Sequence, residues 1–177
     1  MVFQGLFAPS RTRVAGKALY ASAAAQSRQT AFYASLGAPD TADKRFELLS
    51  LHVALIVLRL KGQGDAAADT SQHLFDTYLQ ALDDALREMA VGDLSVGKRM
   101  RKLGAAFYGR ARACEEAFAA LPDGAPLTAL IGRTVLDEAD ANAARIADYA
   151  TRAHQGLAAQ LLSDLLAGSV AWPAVLA

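Results

Sequence analysis

The chain has 177 residues, of which 53% are hydrophobic, and its 18 Lys and Arg residues are balanced by 18 Asp and Glu. This length suits one domain with a continuous core, and the zero net charge argues against a surface built to bind DNA. The single cysteine, Cys114, excludes an internal disulfide and fits a reducing compartment.

Aromatic residues make up 7% of the chain, and runs of β-branched residues with period two are absent. We therefore predict an all-α, single-domain helical bundle of about five to six helices, spanning residues 1–177. The bounds of the helices are predicted from the helical spacing of apolar residues and from Gly, Pro and cap residues. The predicted helices are residues 10–36, 42–61, 70–92, 93–121, a short helix after 126, and 137–167.

The second predicted helix is apolar on nearly every side and is capped by Asp40 or Thr41. A helix of this kind is typical of the centre of a bundle, or else of a groove wall that awaits an apolar partner. Its apolar run Leu48–Leu58 is too short to cross a bilayer, which takes about 20 residues. We expect a soluble protein. The third predicted helix is capped by Thr70 or Ser71.

Charge is distributed unevenly around the fourth predicted helix. Residues 87–112 contain seven Lys and Arg against two acidic residues, whereas the chain after Arg112 carries eight acidic residues against three Arg. Either the acidic final helices fold back and neutralise this basic region, or the region stays open to a partner. Asp83 and Arg87 are an i, i+4 pair, and with Glu88 and Asp93 we expect them to fix the crossing of two helices at a tight turn.

A catalytic or metal site is not indicated. His52, His73 and His154 lie on three different predicted helices, and no common metal or nucleophile motif is present. We expect no cofactor and no enzyme activity. His52 is predicted to lie buried with one ring nitrogen hydrogen-bonded, and Cys114 to be a small core residue.

Contact with a partner is the stronger interpretation. Tyr108 and Arg110 combine flat area with hydrogen-bond donors beside a glycine, as interface anchors do. Apolar candidates for shielding a client are Leu51, Leu55 and Met89. The basic candidates for orienting a complex are Lys98, Arg99, Arg101 and Lys102.

Two segments, PDTADKRFELLSLHVALIVLRL and ALREMAVGDLSVGKRMRKLGAAFYGRA, resemble the signatures of the ubiquinol-cytochrome c chaperone family. The likeness covers roughly residues 20–136, with Lys44 where the family usually has glycine and Cys114 where an aromatic residue is common. It implies an assembly chaperone for ubiquinol-cytochrome c reductase (complex III). Such a protein holds newly made cytochrome b, or another complex III subunit, without catalysis, alone or with a second assembly factor.

A helical module that contacts a ribosome or RNA, and so affects synthesis of a membrane protein, is the alternative. The basic helix is also compatible with an anionic membrane surface. We expect a bacterial protein of this kind in the cytoplasm or peripheral at the inner face of the membrane, and a eukaryotic one on the matrix side of the mitochondrial membrane. The segment before Asp40 has the composition of a transit peptide, but the resemblance implies that it belongs to the fold, because Tyr20, Phe32 and Tyr33 fall where the family has its first helix.

Overall fold

The structure, a computed structural model, describes residues 10–88, 93–136 and 141–175, except for the side chains of 93–99. All secondary structure in these ranges is helical, which confirms the all-α prediction, and six of the helices have ten residues or more. The elements are α1 Arg11–Ser27, α2 Thr30–Ala34, α3 Ala42–Leu60, α4 Asp65–Glu88, α5 Asp93–Ala119, α6 Ala125–Thr134, α7 Ala141–Ala159 and α8 Leu162–Leu166.

The first predicted helix is two helices, α1 and α2. The break falls at Arg28 and Gln29, and Gln29 has the extended angles φ −57° and ψ 126°. The hydroxyl of Tyr33 donates to the carbonyl of Ser27 across the break at 3.0 Å. No Gly or Pro marks this position, so the break depends on a side chain that satisfies a helix-terminal carbonyl.

α4 starts earlier than predicted, at Asp65. Thr70, one of the two expected caps, is buried inside the helix, and its hydroxyl donates to the carbonyl of Ala66 at 2.7 Å. A threonine that bonds the carbonyl four residues earlier fits within a helix as well as at its start. The short spacer that the sequence predicted is therefore mostly helical.

The last predicted helix is also divided, into α7 and α8. Leu161 has φ −59° and ψ 135°, which ends the helical path. Arg59 of α3 donates to the carbonyls of Leu157 and Gln160 at 2.7 and 3.1 Å. A guanidinium from another helix thus caps the exposed carbonyls at the end of α7, as basic side chains do at helix C-termini.

α3 is the central helix, which is the first of the two interpretations that its apolar pattern left open. It packs against α1, α4, α5 and α7. Its buried side chains are Leu48, Ser50, Leu51, His52, Val53, Ala54, Leu55, Ile56 and Leu60. The neighbouring α1 and α4 pack most extensively, and at Gly16 a Cβ atom would lie 2.7 Å from both the Cβ of His73 and the backbone nitrogen of Leu74.

A chain of hydrogen bonds crosses the core. Nδ1 of His52 lies 2.7 Å from the carbonyl oxygen of Leu48, which only accepts, so Nδ1 carries the proton and donates. Nε2 of His52 then accepts from the hydroxyl of Tyr149 at 2.9 Å, and that hydroxyl accepts from the amide of Gln26 at 3.0 Å. His52 is fully buried with its ring hydrogen-bonded, as predicted. Burial lowers its pKa from 6.5 to about 4, which favours the neutral ring.

The segment after α8 closes one side of this core. The Trp172 ring meets the His52 ring edge-on with centroids 5.1 Å apart, and its Nε1 donates to the hydroxyl of Ser22 at 3.0 Å. The amide of Gln26 also donates to the carbonyl of Pro173 at 3.3 Å. Trp172 therefore seals this side of the domain.

None of the helices, within the described residues, is both long enough and apolar enough to span a bilayer.

Candidate functional site

An open groove lies between α1, α2, α3, α4 and α5, with a volume of about 610 Å³. Its walls are mainly aromatic and aliphatic, and charged residues stand at its edge. The apolar lining consists of Tyr20, Tyr33, Phe46, Leu49, Ala81, Leu82, Ala85, Leu86 and Leu103. This set is called the apolar groove below.

Helical periodicity explains how the walls form. Phe46 and Leu49 are three residues apart on α3, and Leu82 and Leu86 are four apart on α4, so each pair shares one face of its helix. Leu86 is buried, but the other three side chains are only partly buried. The faces that would meet a further helix in a closed bundle thus remain partly open to solvent.

Both signs of charge stand at the edge of the apolar groove. Arg45 donates two hydrogen bonds to the carboxylate of Asp40, at 2.5 and 3.0 Å, and this contact lowers the pKa of Asp40. Arg28, also at the edge, forms no ion pair with any described residue, while Asp43 and Glu88 contribute negative charge. The edge is mixed in charge, so the apolar walls are the more distinctive feature.

Arg110 connects α5 to α3. Its guanidinium donates two hydrogen bonds to the carboxylate of Glu47, and its charged carbon lies 5.7 Å from the centre of the Phe46 ring. Both partners of this ion pair are largely shielded from solvent. Arg110 therefore stabilises the packing of α5 beside the apolar groove and is not offered to a partner as the sequence suggested.

Tyr108, the other predicted anchor, is exposed. Its side chain is 62% exposed, its ring packs 5.1 Å from the ring of Phe75, and its hydroxyl has no hydrogen-bond partner within the described residues. Arg101 and Lys102 on the same helix are exposed too, and neither forms an ion pair with the part of the chain that is described. α7 carries one Asp against two Arg and packs mainly on α3 and α6, so it does not neutralise Arg101 and Lys102.

Two of the residues predicted to contact a client, Leu51 and Leu55, are buried. Leu51 is 5% exposed and Leu55 1% exposed, because α3 is enclosed by its neighbours and these side chains fill the core. Met89 lies outside the described residues, as do the side chains of Lys98 and Arg99. Nothing in the structure bears on those three predictions.

The predicted charge network is seen in part. Arg87 donates to the carboxylate of Asp83 at 2.7 Å, one helical turn away. Glu88 is exposed at the edge of the apolar groove, and the side chain of Asp93 lies outside the described residues. The Asp83–Arg87 bond supports the last turn of α4, as an i, i+4 pair does.

The sequence left a groove wall on α3 open as one of two interpretations, but it did not indicate which residues line the apolar groove, because they carry the same helical spacing as core residues. Phe46 and Leu49 on α3 and Leu82 and Leu86 on α4 show this spacing. Periodicity tells which residues share a face but not whether another helix covers that face. The described residues contain no cluster of three or more His, Cys, Asp or Glu side chains arranged to hold a metal ion.

Comparison with known proteins gives two matches. The sequence model described as "Ubiquinol-cytochrome C chaperone" matches residues 34–172. The fold is similar to the crystal structure of the Cbp3 homolog from Brucella abortus, with a TM-score of 0.85 and 32% sequence identity over 93% of this chain and 92% of that one. No curated protein matches the sequence significantly.

Proposed function

Because the chain belongs to the ubiquinol-cytochrome C chaperone family, we propose that it holds newly made cytochrome b during assembly of complex III. Family membership supports an assembly chaperone with a non-catalytic role. The observation that carries the proposed mode of binding is the apolar groove, a space of about 610 Å³ lined on several helices by partly buried aromatic and aliphatic side chains. The mechanism is binding and release without turnover.

The groove suits an apolar helical segment of an unassembled membrane protein. Such a segment exposes leucine-like side chains that water solvates poorly, and each side chain fully buried contributes roughly 1.5–3 kcal/mol. Leu49 and Leu82 stand on opposite walls, from α3 and α4, so a client helix lying between them buries apolar surface on two sides. The mixed charges at the edge keep the empty groove hydrated where it meets solvent.

A charge placed in the groove tests the proposal. The tagged protein is crosslinked in its native cells, the membranes are gently solubilised, and captured proteins are identified by mass spectrometry. We expect Leu82→Asp to reduce capture of cytochrome b by about tenfold or more, because an aspartate in the wall must be desolvated when the client binds. The matched control is Leu161→Asp, at a leucine that is 69% exposed and outside the groove.

Circular dichroism and thermal unfolding of both purified variants establish that they are folded. Equal capture of cytochrome b by Leu82→Asp and Leu161→Asp would contradict a client site in the groove. Capture of other complex III subunits in place of cytochrome b would retain the assembly function and change the client.

A second candidate function is contact with a ribosome or RNA during synthesis of the membrane protein. It is favoured by Arg101 and Lys102, which are exposed without an ionic partner among the described residues. Binding of this kind falls steeply as salt rises, because phosphate contacts release counterions. Cosedimentation with ribosomes that is lost in an Arg101→Glu, Lys102→Glu variant, with cytochrome b absent from the captured proteins, would favour this function over client holding.

A further inference from the structure

The outward side of α5 carries an ordered set of exposed residues. One turn after another, it presents Arg101, Ala105, Tyr108, Arg112 and then Glu115 with Glu116, while Lys102 and Gly109 lie along one margin. The opposite side of the same helix packs into the core through Phe107, Ala111, Cys114 and Phe118. The exposed set is called the outward face of α5.

The outward face is basic at its N-terminal end and acidic at its C-terminal end, so its charges are complementary to those of an identical face laid antiparallel to it. Counting from the midpoint between Tyr108 and Gly109, Arg101 stands as far before it as Glu116 stands after it, and Lys102 matches Glu115 in the same way. A second, identical helix laid antiparallel therefore places cations of one copy opposite carboxylates of the other at both ends. A two-fold interface requires this kind of self-complementarity.

We propose that a second copy of this chain docks on the outward face, forming a two-fold homodimer whose axis passes between Tyr108 and Gly109. The middle of the face has the residues that such an axis needs. Tyr108 offers an exposed aromatic ring as an anchor, and Ala105 and Gly109 leave room for the facing helix. Charged residues then surround this centre, as they do at the rim of protein interfaces.

Among the described residues, packing does not require residue 109 to be glycine. A Cβ atom built at Gly109 meets none of their atoms within 4 Å. Glycine in the middle of a helix is less favourable than alanine. A facing backbone close to this position supplies the missing steric reason.

The charges at both ends are available to a partner. Arg101 and Lys102 form no ion pair with described residues, and the side chains of Glu115 and Glu116 are 48% and 65% exposed. Lys61 bonds one oxygen of Glu115 at 2.6 Å, and Arg112 bonds one oxygen of Glu116 at 2.8 Å. The second oxygen of each carboxylate can accept a bond from the facing helix.

The dimer leaves the apolar groove open, because Leu103 lines the groove from the inner side of α5. A contact centred on one helix pair is smaller than a standard stable interface, so the dimer forms weakly and reversibly. Client binding and self-association therefore use different surfaces of the same molecule, and either can fail in an experiment without the other.

Charge-reversed variants test the proposal by sedimentation velocity at increasing concentration and low salt. Wild-type protein is expected to move from the 18.6 kDa monomer toward twice that mass. Arg101→Glu, Lys102→Glu makes both ends of the face acidic, and Glu115→Lys, Glu116→Lys makes both ends basic. Each variant alone is expected to associate at least about tenfold more weakly than the wild type.

The decisive sample is a one-to-one mixture of the two variants at the same total concentration. The antiparallel arrangement predicts that the mixture associates more strongly than either variant alone, because acidic ends then face basic ends. A mixture that stays monomeric would overturn the proposal, and so would a wild-type protein that is monomeric at every concentration. Helical content measured on each variant establishes that the loss of association is not a loss of folding.

Discussion

The neutral His52 in the core makes the stability of this fold depend on pH in a defined window. Burial lowers the pKa of His52 from 6.5 to about 4, so the unfolded chain binds this proton more readily than the folded one. The contribution of the neutral His52 to the free energy of unfolding is therefore fully present above pH 6.5 and is lost as the pH falls from 6.5 toward 4. Below pH 4 His52 causes no further loss. The difference of about 2.5 pKa units corresponds to roughly 3.4 kcal/mol in total.

The loss can be calculated at chosen pH values. The linkage relation gives about 1.7 kcal/mol at pH 5.25 and about 3 kcal/mol at pH 4 from His52 alone. The assay is urea unfolding followed by circular dichroism, on the wild type and on His52→Gln, at pH 7, 5.25 and 4. Glutamine at this position does not titrate. The carboxylates titrate in both proteins, so their contributions cancel when the two free energies of unfolding are subtracted.

We expect His52→Gln to be the less stable protein at pH 7 and to recover relative to the wild type by about 3 kcal/mol at pH 4. His154→Gln is the matched control. Burial also lowers the pKa of His154, but this side chain is only partly buried, so we expect a smaller change with the same sign. Free-energy differences between wild type and His52→Gln that stay constant from pH 7 to pH 4 would refute the neutral, buried state of His52.

Further predictions concern packing, capping and thiol access. Gly16→Ala should lower the free energy of unfolding by more than about 1 kcal/mol, because the added Cβ would lie 2.7 Å from atoms of α4. The control Gly156→Ala should raise it by up to about 1 kcal/mol, because a Cβ there meets nothing within 4 Å among the described residues. Equal effects in denaturant unfolding would contradict the close approach of α1 to α4. Arg59→Ala should cost about 1–3 kcal/mol by exposing two carbonyls at the end of α7, and the exposed control Arg133→Ala should cost less than about 0.5 kcal/mol. Burial raises the pKa of Cys114 to about 12, so a thiol reagent at pH 8 should label it only after unfolding, and fast labelling of the folded protein would place it at the surface.

The sequence predicted the helices best where periodic apolar residues and a helix-breaking residue occur together. The first helical region ends beside Gly37, and a turn lies at 122–124. Both can be predicted because Gly and Pro act on the backbone at their own positions in the sequence. The break between α1 and α2 does not, because it depends on Tyr33 bonding a carbonyl six residues away. The end of α7 depends on Arg59, which is about a hundred residues distant in the chain.

The site was less predictable than the fold for a related reason. Tyr108, predicted as an interface anchor, is exposed, whereas Leu55 and Arg110, also predicted as contacts, pack against other residues of the chain. Leu49 and Leu82 show the opposite error, since they have the spacing of core residues and line an open groove. Burial is decided by which helices end up as neighbours, and that information lies in contacts between distant segments.

The seal formed by Trp172 also sets an order of events during synthesis of the chain. Its bond to Ser22 joins residues 150 positions apart, and the bond between Gln26 and Tyr149 spans 123 positions. Segments are made from the N-terminus onward, so α1 emerges from the ribosome long before either partner exists. The core of α3 therefore stays unsealed until residue 172 has left the ribosomal exit tunnel, and the domain reaches its closed form only then.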